Sequence, residues 1–366
     1  MYREQELNIA VFYPKTPFAA WSICGGIVDT LKRMGHTVID APTPPNPNRD
    51  SIPVHLIERI KADLPTIEAL NKCDLIIVSG PEHIACWIDC CYGVYEWKNA
   101  VTTVKAGMYH ESQNRSDGGE IDFTQVGWVS NFHFFPAAQD AEFFDQEHLY
   151  KDRCWWSPFA VDTSIFKPHC YGLNLTIDDV ITGKGGTINS GPSDKKYDTL
   201  FLGSIYGLRA KWLEQLGQFN HPPIKIGRCH YEDANGADIR KIAEMMAEDI
   251  RRAKVFFNLP PLSMLDVTKV MEVMACGTFL LTPEMPTLHR AHLNNVLFTD
   301  KVHLERYDPR LKAQVARRLN EWQKPENEAE REKIARAGCE EVHAKHSLEV
   351  RLTWLLDKCG LKVQTQ

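Results

Sequence analysis

The stretch "CDLIIVSG" (73–80) is an unbroken apolar run, without the in–out alternation of a strand that faces water on one side. Such a strand has both faces covered, as in a parallel sheet flanked by helices. Its neighbours repeat the theme. "NIAVFY" (8–13) is a β-rich run that leads through "PKTPFAAWSICGG" into the helical pattern "IVDTLKRMGH", with Gly35 as its C-terminal stop. "TVIDAP" is another strand, and "VTTVKAGMYHE" (101–111), "QVGWVSNFHFF" (125–135) and "CWWSPFAVDTSIFKP" (154–168) follow. The Pro/Asn stretch "PTPPNPNRDSIP" (42–53) reads as a loop, and so does the Gly/Ser-rich "GKGGTINSGPSDKK" (183–196).

A second series then begins. "YDTLFLGS" is a strand and "RAKWLEQLGQF" a helix; "IKIG", "ADIRKIAEMMAEDIRRA" and "KVFFNL" continue the alternation. "KVMEVMACGTFLLTPE" (269–284) is a helix end, a glycine stop and a buried strand, and two helical patterns close the chain. Two successive strand–helix series predict an α/β protein of two Rossmann-like domains, with ligands at the carboxyl ends of the strands. The expected boundaries are 1–168, 169–345 and a closing helical segment, 346–366, packed back on the first domain.

Composition narrows the function classes. The chain has 366 residues, 43% hydrophobic and 25% charged, and a net charge of −6. That charge gives no global attraction to nucleic acid or anionic lipid. The opening "MYREQELNIAVFY" is not a signal peptide, and no apolar run approaches the ~20 residues of a membrane span. Eleven cysteines without an export signal point to free thiols in a cytoplasmic setting. The cluster "HIACWIDCC" (83–91) raises zinc, but its spacing fits no common finger and a helix buries such cysteines naturally, so no metal is expected. No strand ends in G-x-G-x-x-G, which excludes a nicotinamide dehydrogenase.

In the 269–284 helix, periodicity places Val267, Val270, Met271 and Met274 on one stripe and Leu265, Lys269, Glu272 and Cys276 on the other side. Ser263 and Asp266 resemble a capping box, which starts this helix near 264. On those grounds Glu272 is a solvated acid or a ligand-binding one. Arg209 follows the turn "GSIYG" close to a helix start, where backbone N–H groups and the dipole favour an anion; Lys211 lies nearby.

"K-x-M-E-x-M-A-C-G-T-F-L-L-T" resembles the signature segment of the GT-B glycosyltransferases, closest to the CgeB-like (spore-protein glycosyltransferase-like) branch. "DTLFLGSIYGLRAKWLEQL", "WWSPFAVDTSIFKP" and "IARAGCEEVHAKHSLEVRLTWLL" resemble further segments of that branch, in the right order over roughly 154–357. The resemblance implies a GT-B fold, two Rossmann-like domains facing each other across a cleft. It implies a nucleotide-sugar-dependent hexosyltransferase, most simply using a UDP-sugar, with retention and without a metal or other cofactor. It implies that Glu272 accepts bonds from the donor ribose diol, a task that suits a two-oxygen carboxylate. The partner glutamate that many relatives carry is Met264 here. Lys269 then serves a phosphate or pairs with Glu272. Arg209 and Lys211 fall on the diphosphate, Gly203 and Ser204 allow close approach, and Gly25 and Gly26 form the first loop. His110 resembles the cleft histidine beside the donor sugar; if the enzyme inverts instead, His110 or Glu111 is the base.

The acceptor is a glycan or cell-surface component, or a modified base in phage-type DNA, with basic residues at 195–196, 209–211, 225–228, 240–241 and 251–254 lining one side of a cleft. The rival class is a non-catalytic two-lobe protein that closes on a nucleotide or sugar.

Overall fold

The computed structural model describes residues 6–15, 21–44, 52–110, 127–136, 140–141, 144–145, 150–168, 195–227, 239–260, 267–284 and 297–362. Glu111, Ser263, Met264, Asp266, most of the 42–53 loop and 183–194 lie outside them. The chain divides into two compact units, one of residues 1–160, 262–265 and 348–366, the other of 161–261 and 266–347. Among the described residues no helix is long and apolar enough to cross a membrane.

The first unit holds a six-stranded parallel sheet: β1 (Asn8–Pro14), β2 (Thr37–Thr43), β3 (Leu75–Ser79), β4 (Lys105–Met108), β5 (Phe132–Phe135) and β6 (Cys154–Trp156), in the order β2-β1-β3-β4-β5-β6. All of β3 is buried, as its unbroken apolar run requires. Alternate residues feed opposite faces. Ala10, Phe12, Ile76 and Val78 enter one core cluster, Ile9, Val11, Leu75 and Ile77 the other.

Helices cover both faces: α1 (Gly25–Arg33), α2 (Val54–Asp63), α3 (Ile67–Leu70), α4 (Pro81–Tyr92) and α5 (Val94–Asn99). Gly35 ends α1 at φ 87°, and His36 N donates to Leu31 O at 3.1 Å, the six-to-one bond of a glycine-terminated helix. Periodicity had not marked α2. Its apolar stripe is short, Leu56, Ile57 and Ile60, and only Ile60 is fully buried while the other two pack partly on the core.

The second unit holds a five-stranded parallel sheet: β7 (Tyr197–Leu202), β8 (Ile224–Gly227), β9 (Ala253–Phe257), β10 (Phe279–Pro283) and β11 (Glu305–Tyr307), ordered β11-β10-β9-β7-β8. Its helices are α6 (Gly207–Leu216), α7 (Ile239–Arg251), α8 (Thr268–Ala275), α9 (Lys312–Gln323) and α10 (Glu328–Lys345). The last helix, α11 (Leu348–Lys358), belongs to the first unit. There Leu348, Leu352, Leu355 and Leu356 join the cluster of Ile9 and Val11, and Trp354 meets Phe134 edge-on at 5.5 Å.

Read in chain order, both sheets run 2-1-3-4-5, the first with a sixth strand appended. In each, the chain leaves the first strand to one side and returns to pair on its other side. That reversal, between β1 and β3 and between β7 and β9, is the switch point at which open α/β sheets bind ligands.

Candidate functional sites

At the switch point of the second unit, Arg209 ties two loops together. It is the third residue of α6, directly after β7. Its Nη1 donates to Ser204 O at 2.9 Å, and its Nε donates to Pro260 O at 3.1 Å in the loop after β9. The Tyr206 hydroxyl donates to the same carbonyl at 3.1 Å, and the guanidinium lies 4.6 Å from the Tyr206 ring and 5.4 Å from that of Phe201. Gly203 is part of this packing, since a Cβ there would stand 2.8 Å from Phe201 Cζ. Ser204 contributes its backbone carbonyl, and Lys211 is exposed on the next turn.

The helix after β9 is α8, and here the structure corrects the amphipathic reading. The described helix begins at Thr268 with Val267 as an uncapped N-cap; the expected start near 264 and its capping box fall outside the described residues. Lys269 aside, every residue of α8 is buried. Glu272 is 0% exposed and Cys276 4%, so the side expected to be polar is also covered. The cover is α10. At Gly338 a Cβ would stand 2.3 Å from His303 O and 3.0 Å from Met274 Cε, so glycine is what lets these parts close up. Cys339 Sγ (3.4 Å) and His343 Nε2 (3.1 Å) reach the Ala275 carbonyl at the end of α8.

Glu272 is therefore no solvated acid. Its Oε2 lies 2.8 Å from Lys269 Nζ, in a pair with 1% and 15% side-chain exposure, and Oε1 accepts no hydrogen bond from the described residues. Of the two expectations for Lys269, the ion pair is the one observed. A buried carboxylate with one unused oxygen costs stability unless a ligand completes it.

Of the basic residues expected to line a cleft, several are partnered within this unit. Arg251 and Arg252 pair with Glu248 at 3.1 and 2.8 Å, Lys254 with Asp198 at 2.6 Å, and Arg240 with Glu244 at 3.2 Å. Lys195 Nζ donates to Arg251 O at 2.7 Å, and burial pulls its pKa down to about 8. Lys196, Lys211, Lys225 and Lys241 are exposed, and Arg228 lies outside the described residues.

At the switch point of the first unit the groups are a glycine pair, a hydroxyl and a histidine beside a carboxylate. Gly25 and Gly26 open α1 after β1, and Trp21 explains the pair. A Cβ on Gly25 would stand 2.6 Å from the Trp21 ring, and one on Gly26 2.9 Å from Trp21 O. Ser79 ends β3, and its Oγ donates to Ile23 O at 2.5 Å, tying the loops after β1 and β3. The same oxygen lies 2.7 Å from His110 Nε2. A hydroxyl has one proton, and the carbonyl takes it, so His110 Nε2 must carry the other. His110 N in turn donates to Glu82 Oε1 at 2.6 Å. Burial, with the nearby His83, holds the His110 pKa well below its usual 6.5. The imidazole is neutral, with its proton on Nε2 and Nδ1 bare.

Sequence reasoning missed Glu82 and His83 as companions of His110. They are the second and third residues of α4, and the αL turn at Gly80 (φ 67°) carries them back beside the end of β4.

Residues 209–357 match a family described as "Glycosyl transferase-like". No curated protein matches the sequence. Among solved structures, the chain is similar to Anabaena HepE in complex with UDP and glucose, at 8% identity over 97% of this chain and 100% of that one, TM-score 0.59. An alpha-glucosyltransferase in complex with UDP and a 13-mer DNA containing a HMU base aligns at 10% identity over 96% and 98%, TM-score 0.61. Sucrose-phosphate synthase from Thermosynechococcus elongatus aligns at 11% identity over 97% and 99%, TM-score 0.56. The chain has the GT-B glycosyltransferase fold and carries a glycosyl transferase-like domain at 209–357.

Proposed function

We propose that this chain moves a sugar from a nucleoside-diphosphate donor, a UDP-sugar above all, to an acceptor hydroxyl. The observation that carries this reading is the buried Glu272, which has an oxygen that accepts no hydrogen bond from the described residues and sits on the helix after β9, within the glycosyl transferase-like domain. A ribose hydroxyl completes that carboxylate. Arg209, set by the loops after β7 and β9, stabilises the charge that grows on the departing diphosphate, with Lys211 and the start of α6 in support. The second unit thus holds the donor and the first presents the acceptor.

The neutral His110 stands beside the donor sugar, with Nδ1 as an acceptor for a sugar hydroxyl. Transfer retains configuration. The acceptor proton passes to the leaving phosphate, so neither a metal nor a separate base is needed. A DNA-bearing neighbour makes modified DNA one acceptor class; the paired state of Arg240, Arg251, Arg252 and Lys254 favours a glycan or other small hydroxyl acceptor. A cytoplasmic setting suits nine described cysteines that are all free.

Incubation with UDP-glucose in EDTA, without acceptor, should release UDP slowly. A protein that binds UDP yet frees none from any nucleotide sugar is instead the two-lobe binding protein.

A further inference from the structure

Glu82, His83 and His110 each present one ligating atom, and these atoms all lie within 4.8 Å of one another. Among the described residues no other group of histidine, cysteine or carboxylate side chains meets that condition. The cysteines of "HIACWIDCC" take no part; of that stretch only His83 does.

Three further observations fit a ligand. The first is close approach. A Cβ on Gly80 would stand 2.9 Å from His110 Nδ1 and 3.2 Å from His83 Cδ2, so glycine is what lets both rings gather at this turn, with centroids 5.9 Å apart. The second is the tautomer. Ser79 Oγ gives its proton to Ile23 O, so Nε2 of His110 carries the proton between the ring and Ser79, and Nδ1 is the nitrogen that presents a lone pair. The third is support. A ligating histidine usually donates its other N–H to an orienting group, and a ligating carboxylate is itself hydrogen-bonded. Ser79 Oγ and the His110 backbone N–H fill those roles, at 2.7 and 2.6 Å.

We propose that Glu82, His83 and His110 form a binding site for a divalent transition metal of the zinc class. Two imidazoles and one carboxylate are a common zinc set with a fourth position open to water. Zinc bonds of about 2.0–2.1 Å place tetrahedral ligand atoms roughly 3.4 Å apart, so closure asks each side chain to move by about 1 Å or less. His83 Nε2 is already 3.8 Å from Glu82 Oε1, and its side chain is 38% exposed, so its ring can turn.

The test is calorimetric titration of the full chain with zinc chloride, for the wild type and for His83→Ala and Ser79→Ala. Wild type should bind one equivalent tightly. His83→Ala should lose at least tenfold in affinity, and Ser79→Ala, which removes the orienting group together with its bond to Ile23 O, should lose roughly 10–100-fold. The cysteines are the same in all three proteins, so any difference belongs to this cluster. No binding by wild type, or equal affinity in His83→Ala with unchanged thermal unfolding, would overturn the site. A second arm rests on the proposed place of His110 beside the donor sugar: zinc should then inhibit UDP release in wild type and not in His83→Ala. Binding without inhibition keeps the metal site and overturns that place for His110.

Discussion

The two sheets share one strand order, yet their switch points are built from opposite materials. In the first unit the loops after β1 and β3 are tied by the Ser79 hydroxyl, beside a neutral histidine and paired glycines. In the second the loops after β7 and β9 are tied by the Arg209 guanidinium, and the helix after β9 buries an ion pair. The same topology therefore carries a neutral histidine beside a carboxylate at one switch point, and a guanidinium with a buried ion pair at the other. In the proposed function the guanidinium and the ion pair meet the diphosphate and the ribose diol, and the histidine meets a sugar hydroxyl.

The largest effect should come from removing half of the buried pair. Lys269→Met leaves Glu272 as an uncompensated charge and should lower stability by about 3–5 kcal/mol in denaturant unfolding. Lys269→Met with Glu272→Leu should recover most of that loss. If the single substitution costs under about 1 kcal/mol, the second unit's charge is solvated and the contrast between the units fails.

Next comes Arg209→Ala. It should weaken UDP binding tenfold or more, about 1.5–3 kcal/mol, and change uridine binding far less. Arg209→Lys keeps the charge but loses the fork that bridges two carbonyls, so it should recover only part. Equal losses for UDP and uridine would make Arg209 a loop clamp and no phosphate contact.

Glu272→Gln probes the same charged edge more gently. Wild type should prefer a ribose donor over its 2′-deoxy analogue by roughly 1–3 kcal/mol, and the variant should show little preference. Equal binding of both donors by wild type would leave the buried carboxylate as a structural pair only.

The sheets were legible because their signal is local: Leu75–Val78 of β3 and Val255–Phe257 of β9 are short apolar, β-rich runs between turns, too short for a buried helix. The quoted helix misled for a physical reason. Periodicity reports one covered face, whereas α8 packs against α10 at Met274 and also meets α7 at Cys276, so a second face is covered by an element distant in sequence. The paired state of Lys254 was hidden in the same way, since Asp198 reaches it only across β7 and β9. At the candidate sites, Arg209 and Glu272 stood out in motif segments. Glu82 and His83 did not, because their neighbourhood with His110 exists only after Gly80 turns the chain and β4 pairs with β3.

The smallest expected effect concerns the neutral edge and its sign under acid. His110 titrates in the folded state well below 6.5, and buried His133 down at about 3, both chiefly through burial. Around pH 6 the unfolded chain therefore binds more protons at these rings than the folded one. Their contribution is whole above about 6.5 and is lost as pH falls from there toward the folded values. Each ring kept neutral should cost under about 1 kcal/mol of stability between roughly pH 7 and pH 6. His110→Asn, in EDTA to exclude metal, should flatten the slope of stability against pH in that window by one ring's share. An unchanged slope in His110→Asn would mean that His110 charges freely in the folded protein, and the neutral character assigned to the first switch point would fall with it.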